Sequence, residues 1–125
     1  MKATELRIGN LVLYSEDQTI FTVGEIDWSG IVVQNEIETT WIELIEFEPI
    51  PLTEEWLLKF GFIEDDLSFL KSNGRKSFMV SPAQDESDYL VFFQSDVGME
   101  WCEVAFSPMV HELQNLWFAL TGEEL

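Results

Sequence analysis

Pro49-Ile50-Pro51-Leu52-Thr53-Glu54-Glu55-Trp56-Leu57-Leu58-Lys59-Phe60-Gly61-Phe62 is the stretch on which the reading of this chain turns. Pro49 and Pro51 fix an extended backbone and exclude a central strand. Thr53 has the chemistry of a helix N-cap, and Glu54 and Glu55 put negative charge on the positive end of the helix that follows. Leu52 and Leu57 stand at the spacing of a hydrophobic staple. Gly61 is placed to end the helix in the left-handed conformation, with Phe62 folding back towards Leu57. Two turns do not persist alone in water. Trp56, Leu57, Leu58 and Phe60 are therefore expected to be buried, and the stretch is read as a packed connector between two halves of different texture.

Before the connector, the sequence reads as strands and tight turns. Leu6 to Tyr14 is strand-like with a bend at Gly9-Asn10. Ile20 to Trp28 follows, with Phe21 and Val23 on one face and Ile20, Thr22, Ile26 and Trp28 on the other. Ser29-Gly30 leads into Ile31-Val32-Val33, and Asn35-Glu36 into Ile37 to Ile42. Residues 43–48 fit a strand end or a single 3₁₀ turn. Short strands at this spacing predict a small β-barrel over residues 1–52, and Gly9-Asn10-Leu11-Val12 resembles the opening of an SH3-like barrel, which implies that type.

After the connector, Asn73-Gly74 between two apolar runs is a strong hairpin signal. Tyr89 to Phe93 is apolar on both faces and reads as a central strand, and Trp101 to Phe106 as the next one. Ser107 and Pro108 read as the N-cap and first position of a last helix that stops at Gly122. Val110, Leu113, Leu116, Trp117 and Leu120 form its core stripe. The expected fold class is α+β: the N-terminal SH3-like small β-barrel, a short connector helix, then a small antiparallel sheet packed by the C-terminal helix, with residues 53–125 as the second subdomain.

Three stretches carry a resemblance. Leu6-Arg7-Ile8-Gly9-Asn10-Leu11-Val12, the connector, and the closing His111-Glu112-Leu113-Gln114-Asn115-Leu116-Trp117-Phe118-Ala119-Leu120-Thr121-Gly122-Glu123-Glu124-Leu125 resemble a family of small proteins of Bacteroidetes genomes and their phages or prophages, whose activity is unassigned. The closing stretch is the specific part. The resemblance implies a bacterial or viral cytosolic origin and a link to mobile elements. It carries no functional residue over.

The 125 residues hold 24 acids and six bases, a formal charge of −18. The acidity is spread over both halves. Such a field repels nucleic acid and anionic membrane and favours basic partners, and it also serves solubility. Met1-Lys2-Ala3-Thr4-Glu5 lacks the apolar region of a signal peptide, and no apolar run approaches the roughly 20 residues of a membrane span. A cytoplasmic protein is expected.

Catalytic constellations are missing from the sequence. His111 is the single histidine and Cys102 the single cysteine. Cys102 beside Trp101 in an apolar strand reads as a buried small hydrophobe. Glu64-Asp65-Asp66 and Asp85-Glu86-x-Asp88 lack the spacing and glycine of a calcium loop, which gathers about six to eight oxygens. No metal, cofactor or catalytic residue is assigned. Lys71, Arg75 and Lys76 surround the hairpin turn and read as turn chemistry or a local anion contact.

The face of the last helix opposite its core stripe supplies the partner-binding candidates His111, Gln114, Asn115 and Phe118; His111 also reads as a packing or surface residue, and Phe118 is expected to be covered either within the chain or by a partner or second copy. The resulting expectation is a non-enzymatic acidic protein-binding module, of the kind a phage or prophage encodes to inhibit a basic or nucleic-acid-binding host protein. It would make no direct contact with nucleic acid or membrane, and a homodimer stays open. The alternative is a protein that binds or sequesters a small ligand in an aromatic-lined pocket between the two halves.

Overall fold

A computed structural model describes residues 5–27, 30–35, 37–43, 46–83 and 88–125. The chain is α+β, with two five-stranded antiparallel sheets and a C-terminal helix. It divides into two compact units, and the division is not the expected one. Unit 1 is Met1–Pro51 together with Met109–Leu125, and unit 2 is Leu52–Pro108. The first boundary falls within one residue of its expected place, but the last helix joins the first unit.

In unit 1 the strands are β1 (Leu11–Tyr14), β2 (Ile20–Ile26), β3 (Gly30–Gln34), β4 (Thr39–Glu43) and β5 (Phe47–Glu48). Their order is β4-β3-β2-β1-β5. Strand β1 pairs β2 with Val12 opposite Phe21, and β2 pairs β3 with a register shift between Val23 and Glu25. The alternation read for the second strand holds: Phe21 and Val23 are buried, together with Leu6, Val12, Ile31, Val33 and Phe47. Tyr14 closes this cluster edge-on to Phe21 and Phe47. Trp28 and Ser29 lie outside the described residues, as do Glu36 and residues 44–45. Asn35 makes the next turn by accepting from the backbone N–H groups of Ile37 and Glu38 at 2.8 and 2.9 Å. Among the described residues β4 and β5 are the two edges, and no ladder joins them.

The last helix, called α2 below, is Val110–Thr121 and ends at Gly122 in the left-handed region (φ 78°). Its start is later than expected. Met109 is the N-cap residue, its N–H donates to Glu112 Oε1 at 2.9 Å, and Pro51 bridges Met109 while Val110 N–H donates to Ile50 O. Ser107 is not the cap. It is a corner residue of unit 2 at φ 43°, accepting from Tyr89 N–H and donating to Asp88 Oδ1. Val110, Leu113 and Trp117 of the core stripe are buried, whereas Leu116 and Leu120 are half-buried.

Unit 2 opens with α1 (Glu54–Lys59). Thr53 caps it by accepting from Trp56 N–H, and Gly61 ends it at φ 87°. Gly61 N–H donates to Leu58 O and Phe62 N–H to Leu57 O, the paired bonds of a Schellman ending. Leu52, Leu57 and Phe62 are buried, but Trp56 and Phe60 are only half-buried and Leu58 is exposed. The expectation that all four apolar residues of α1 go inside is therefore corrected. So short a helix has one inward face, and Leu57 occupies it. Trp56 instead stacks with Phe60 and carries Lys59 over its ring.

The second sheet contains β6 (Ile63–Asp65), β7 (Ser68–Asn73), β8 (Lys76–Pro82), β9 (Tyr89–Gln94) and β10 (Cys102–Phe106), in spatial order β10-β9-β8-β7-β6. Each strand pairs its chain neighbour. Asn73 pairs Lys76, so the hairpin loop is Gly74-Arg75, with Gly74 at φ 62°. Strand β9 is interior, as read, but β8 is the central one. Phe69, Phe78, Val80 and Val91 form the buried face.

Candidate functional site

Gly9 and Asn10 end the first bend by pairing with β2: Gly9 N–H donates to Val23 O, and Val23 N–H to Asn10 O. Asn10 is fully buried. Its Oδ1 accepts from Arg7 N–H at 2.7 Å and its Nδ2 donates to Asn115 Oδ1 at 2.8 Å. Asn115 in turn donates to Glu5 O. Burying an amide is tolerated when its donors and acceptors find partners, and both of these amides find theirs across the contact between α2 and residues 5–11.

Gln114 does something more specific. Its Oε1 accepts from Leu11 N–H at 2.9 Å, and its Nε2 donates to Gly9 O at 3.3 Å. Along β1 the backbone N–H and C=O groups of odd-numbered residues face β5, where Leu13 pairs Glu48 and Ser15 N–H donates to Glu46 O. Strand β5 has two residues and does not reach Leu11. The Gln114 amide takes the place of the missing peptide group and satisfies part-buried backbone that β5 leaves unpaired.

One turn earlier, His111 is 3% exposed, and its Nδ1 has no hydrogen-bond partner. Burial pushes its pKa below the ordinary histidine value, against an upward pull from Glu112 and Glu5. The ring is held neutral by loss of water. Beside it lies a cleft of about 370 Å³ lined by Glu5, His111, Glu112, Asn115 and Leu116. Further along the same face, the Arg7 guanidinium sits 4.1 Å above the Phe118 ring and binds Glu124 with both terminal nitrogens, at 2.5 and 3.1 Å. That hydrogen bond holds the Glu124 carboxyl below its usual range.

The four partner-binding candidates are thus brought together along the contact between the last helix and residues 5–11 of unit 1. His111 and Gln114 are buried, Asn115 is engaged by Asn10, and Phe118, though 39% exposed, is roofed by Arg7. Of the two kinds of cover expected for this face, the structure has contacts within the chain, so the four are not an open partner-binding stripe; helical spacing separates two faces of a helix and does not say what lies against the second. Arg7, Asn10 and Glu124 complete the arrangement; the sequence reading placed Asn10 only at a bend and gave Arg7 and Glu124 no role. Residues 5–11 and the closing helix meet here.

The other candidates are scattered. Cys102 is exposed on the edge strand β10, a correction to the buried reading, because an edge strand has one unpaired side. Lys71 Nζ donates to Phe60 O, and Arg75 pairs with Asp96, so the basic turn is not an open anion site. A second cleft of about 530 Å³ lies within unit 2 along Gly61, Ile63–Asp65 and Leu70–Ser72. Neither cleft has an aromatic lining. Glu64, Asp65 and Asp66 are exposed, while 84–87 fall outside the described residues. Among the described residues no group of three or more His, Cys, Asp or Glu side chains is placed to hold a metal ion, and no helix is long and apolar enough to cross a membrane.

No family model matches the chain, and neither does any curated protein or solved structure.

Proposed function

We propose that this chain is a non-enzymatic acidic protein-binding module that engages a basic partner, as a phage- or prophage-encoded inhibitor of a basic or nucleic-acid-binding host protein would. The observation that carries the reading is charge that stays uncompensated after internal pairing. Unit 1 holds thirteen acids and two bases, and unit 2 eleven acids and four bases. Four of the six bases are engaged inside the chain: Arg7 on Glu124 and Phe118, Arg75 on Asp96, Lys71 on a backbone carbonyl, Lys59 on Trp56. Both units are left with surplus carboxylates, a field suited to steering a basic protein and hostile to nucleic acid. The strand order β4-β3-β2-β1-β5, with a 3₁₀ residue before β5, supports reading unit 1 as an SH3-like scaffold.

The test is capture from a bacterial lysate on the immobilised full chain, eluted by rising salt. Basic proteins should be retained at about 0.1 M salt and released by about 0.5 M, where the screening length falls to a few ångströms. Retention that salt does not alter, or retention of neutral and acidic proteins alone, overturns the reading.

A further inference from the structure

The outer face of the second sheet can be assigned from its register, because directly opposed residues share a face. Phe69, Val80 and Val91 form one row on the core side. The neighbouring row therefore points outward, and it reads Ile63, Leu70, Met79, Phe92 and then Glu103, one residue from each of the five strands. Leu90 and Phe106 stand opposite each other in the next outward row. None of these six apolar residues is buried, and Ile63 and Phe106 are 72% and 63% exposed. Hydroxyl pairs border the stripe along the strands: Ser68 with Ser81, and Ser72 with Ser77, each pair 2.7 Å apart. Carboxylates border it across the strands, Asp65 on β6 and Glu103 on β10, both exposed.

An apolar stripe with polar flanks is an ordinary mark of a binding surface. Its dimensions fit one kind of occupant. Five strands at the usual spacing span about 19 Å, which is the length of about 13 helical residues. A second copy of this chain is disfavoured, because it would bring a charge of −18 and its own carboxylate-ended stripe. Resting on the basic-partner reading above, we propose that this face docks an amphipathic helix of the partner. Its apolar side lies across Ile63, Leu70, Met79, Phe92, Leu90 and Phe106, and Lys or Arg at its two ends meets Asp65 and Glu103.

The probe is a labelled 14-residue amphipathic peptide with a Leu/Phe face and Lys-Arg at both ends, titrated with the full chain by fluorescence anisotropy. The matched control carries Glu-Glu at the ends. The chain should bind the basic peptide at least tenfold more tightly than the control. Ile63→Ser with Phe106→Ser should weaken it at least tenfold, and Glu103→Lys should weaken it severalfold and flatten its salt dependence. Glu103 is exposed, so this last variant keeps the test alive if the double variant fails to fold. Phe118→Ala, in unit 1, should leave binding unchanged. Equal binding of the two peptides, no binding of either, or indifference to Glu103→Lys overturns the proposal. So does sedimentation showing a dimer that the double variant dissolves, which would give the face to a second copy. If the folded double variant still captures basic proteins from lysate, the face is wrong and the basic-partner reading stands. If the parent captures none, both fall.

Discussion

Asn10 holds three segments at once: the bend at Arg7, strand β2 through its own carbonyl, and α2 through Asn115. Asn10→Ala leaves a part-buried donor and a part-buried acceptor without their partner, and chemical denaturation should register a loss of about 1–3 kcal/mol. Phe118→Ala is milder. It removes the surface beneath Arg7, a cation–π contact of roughly 0.5–2 kcal/mol, and should lower the melting temperature with no change in self-association. His111 sets a pH dependence. Its folded-state pKa lies below the unfolded value of 6.5, so the unfolded chain takes up the proton first as pH falls. The stability of the neutral, buried ring is complete above about pH 6.5 and drains away as pH drops through that value towards the folded pKa. Melting temperature should therefore fall more steeply between about pH 7.5 and 5.5 in the parent than in His111→Phe. Equal slopes would locate the titrating group elsewhere.

Short-range grammar decided the elements where one side chain fixes one backbone state. Gly61 is the clearest case: φ 87° is costly for any residue with a Cβ, so Gly61→Val should cost about 1 kcal/mol or more by denaturant melt. Gly30 is a different kind of glycine. A Cβ there would stand 2.6 Å from the Trp41 ring and 2.7 Å from Ile42 O. Gly30→Ala should therefore disturb β4 by roughly 1–3 kcal/mol through crowding, visible as a shift in tryptophan emission. The Thr53 cap, the Gly61 ending, the Gly74 hairpin and the alternation of Phe21 and Val23 were all legible in the sequence, because each is local. The start of α2 was not. Ser107-Pro108 has the right chemistry for a cap, yet Tyr89 and Asp88 claim the serine, and Ile50 and Pro51 hold the true start. The destination of the second stripe on α2 was hidden for the same reason. Gln114 and Asn115 look like solvent-facing amides until residues 5–11, a hundred positions away, are brought beside them.

At the scale of the molecule the surplus of carboxylates dominates. No binding to duplex DNA is expected near physiological salt, since neither unit offers an open cluster of bases among the described residues. An electrophoretic shift at micromolar protein would contradict this and would direct attention to the turn at Lys71, Arg75 and Lys76. The α+β class and the first boundary could be read from texture. The ownership of the last helix could not, because its stripes suit either sheet, and only the pairing of its amides with Gly9, Asn10 and Leu11 decides between them.

The bridge between Pro51 and Met109 makes unit 2 an insertion into unit 1, and this orders events during synthesis. Residues 52–108 leave the ribosome as an uninterrupted piece, complete when its last strand emerges. The opening sheet must wait through all of that for the helix whose Gln114 satisfies Leu11. The same adjacency makes residues 52–108 a removable cassette. Joining Pro51 to Met109 through two or three glycines should leave a miniature protein that folds sooner on the ribosome than its parent.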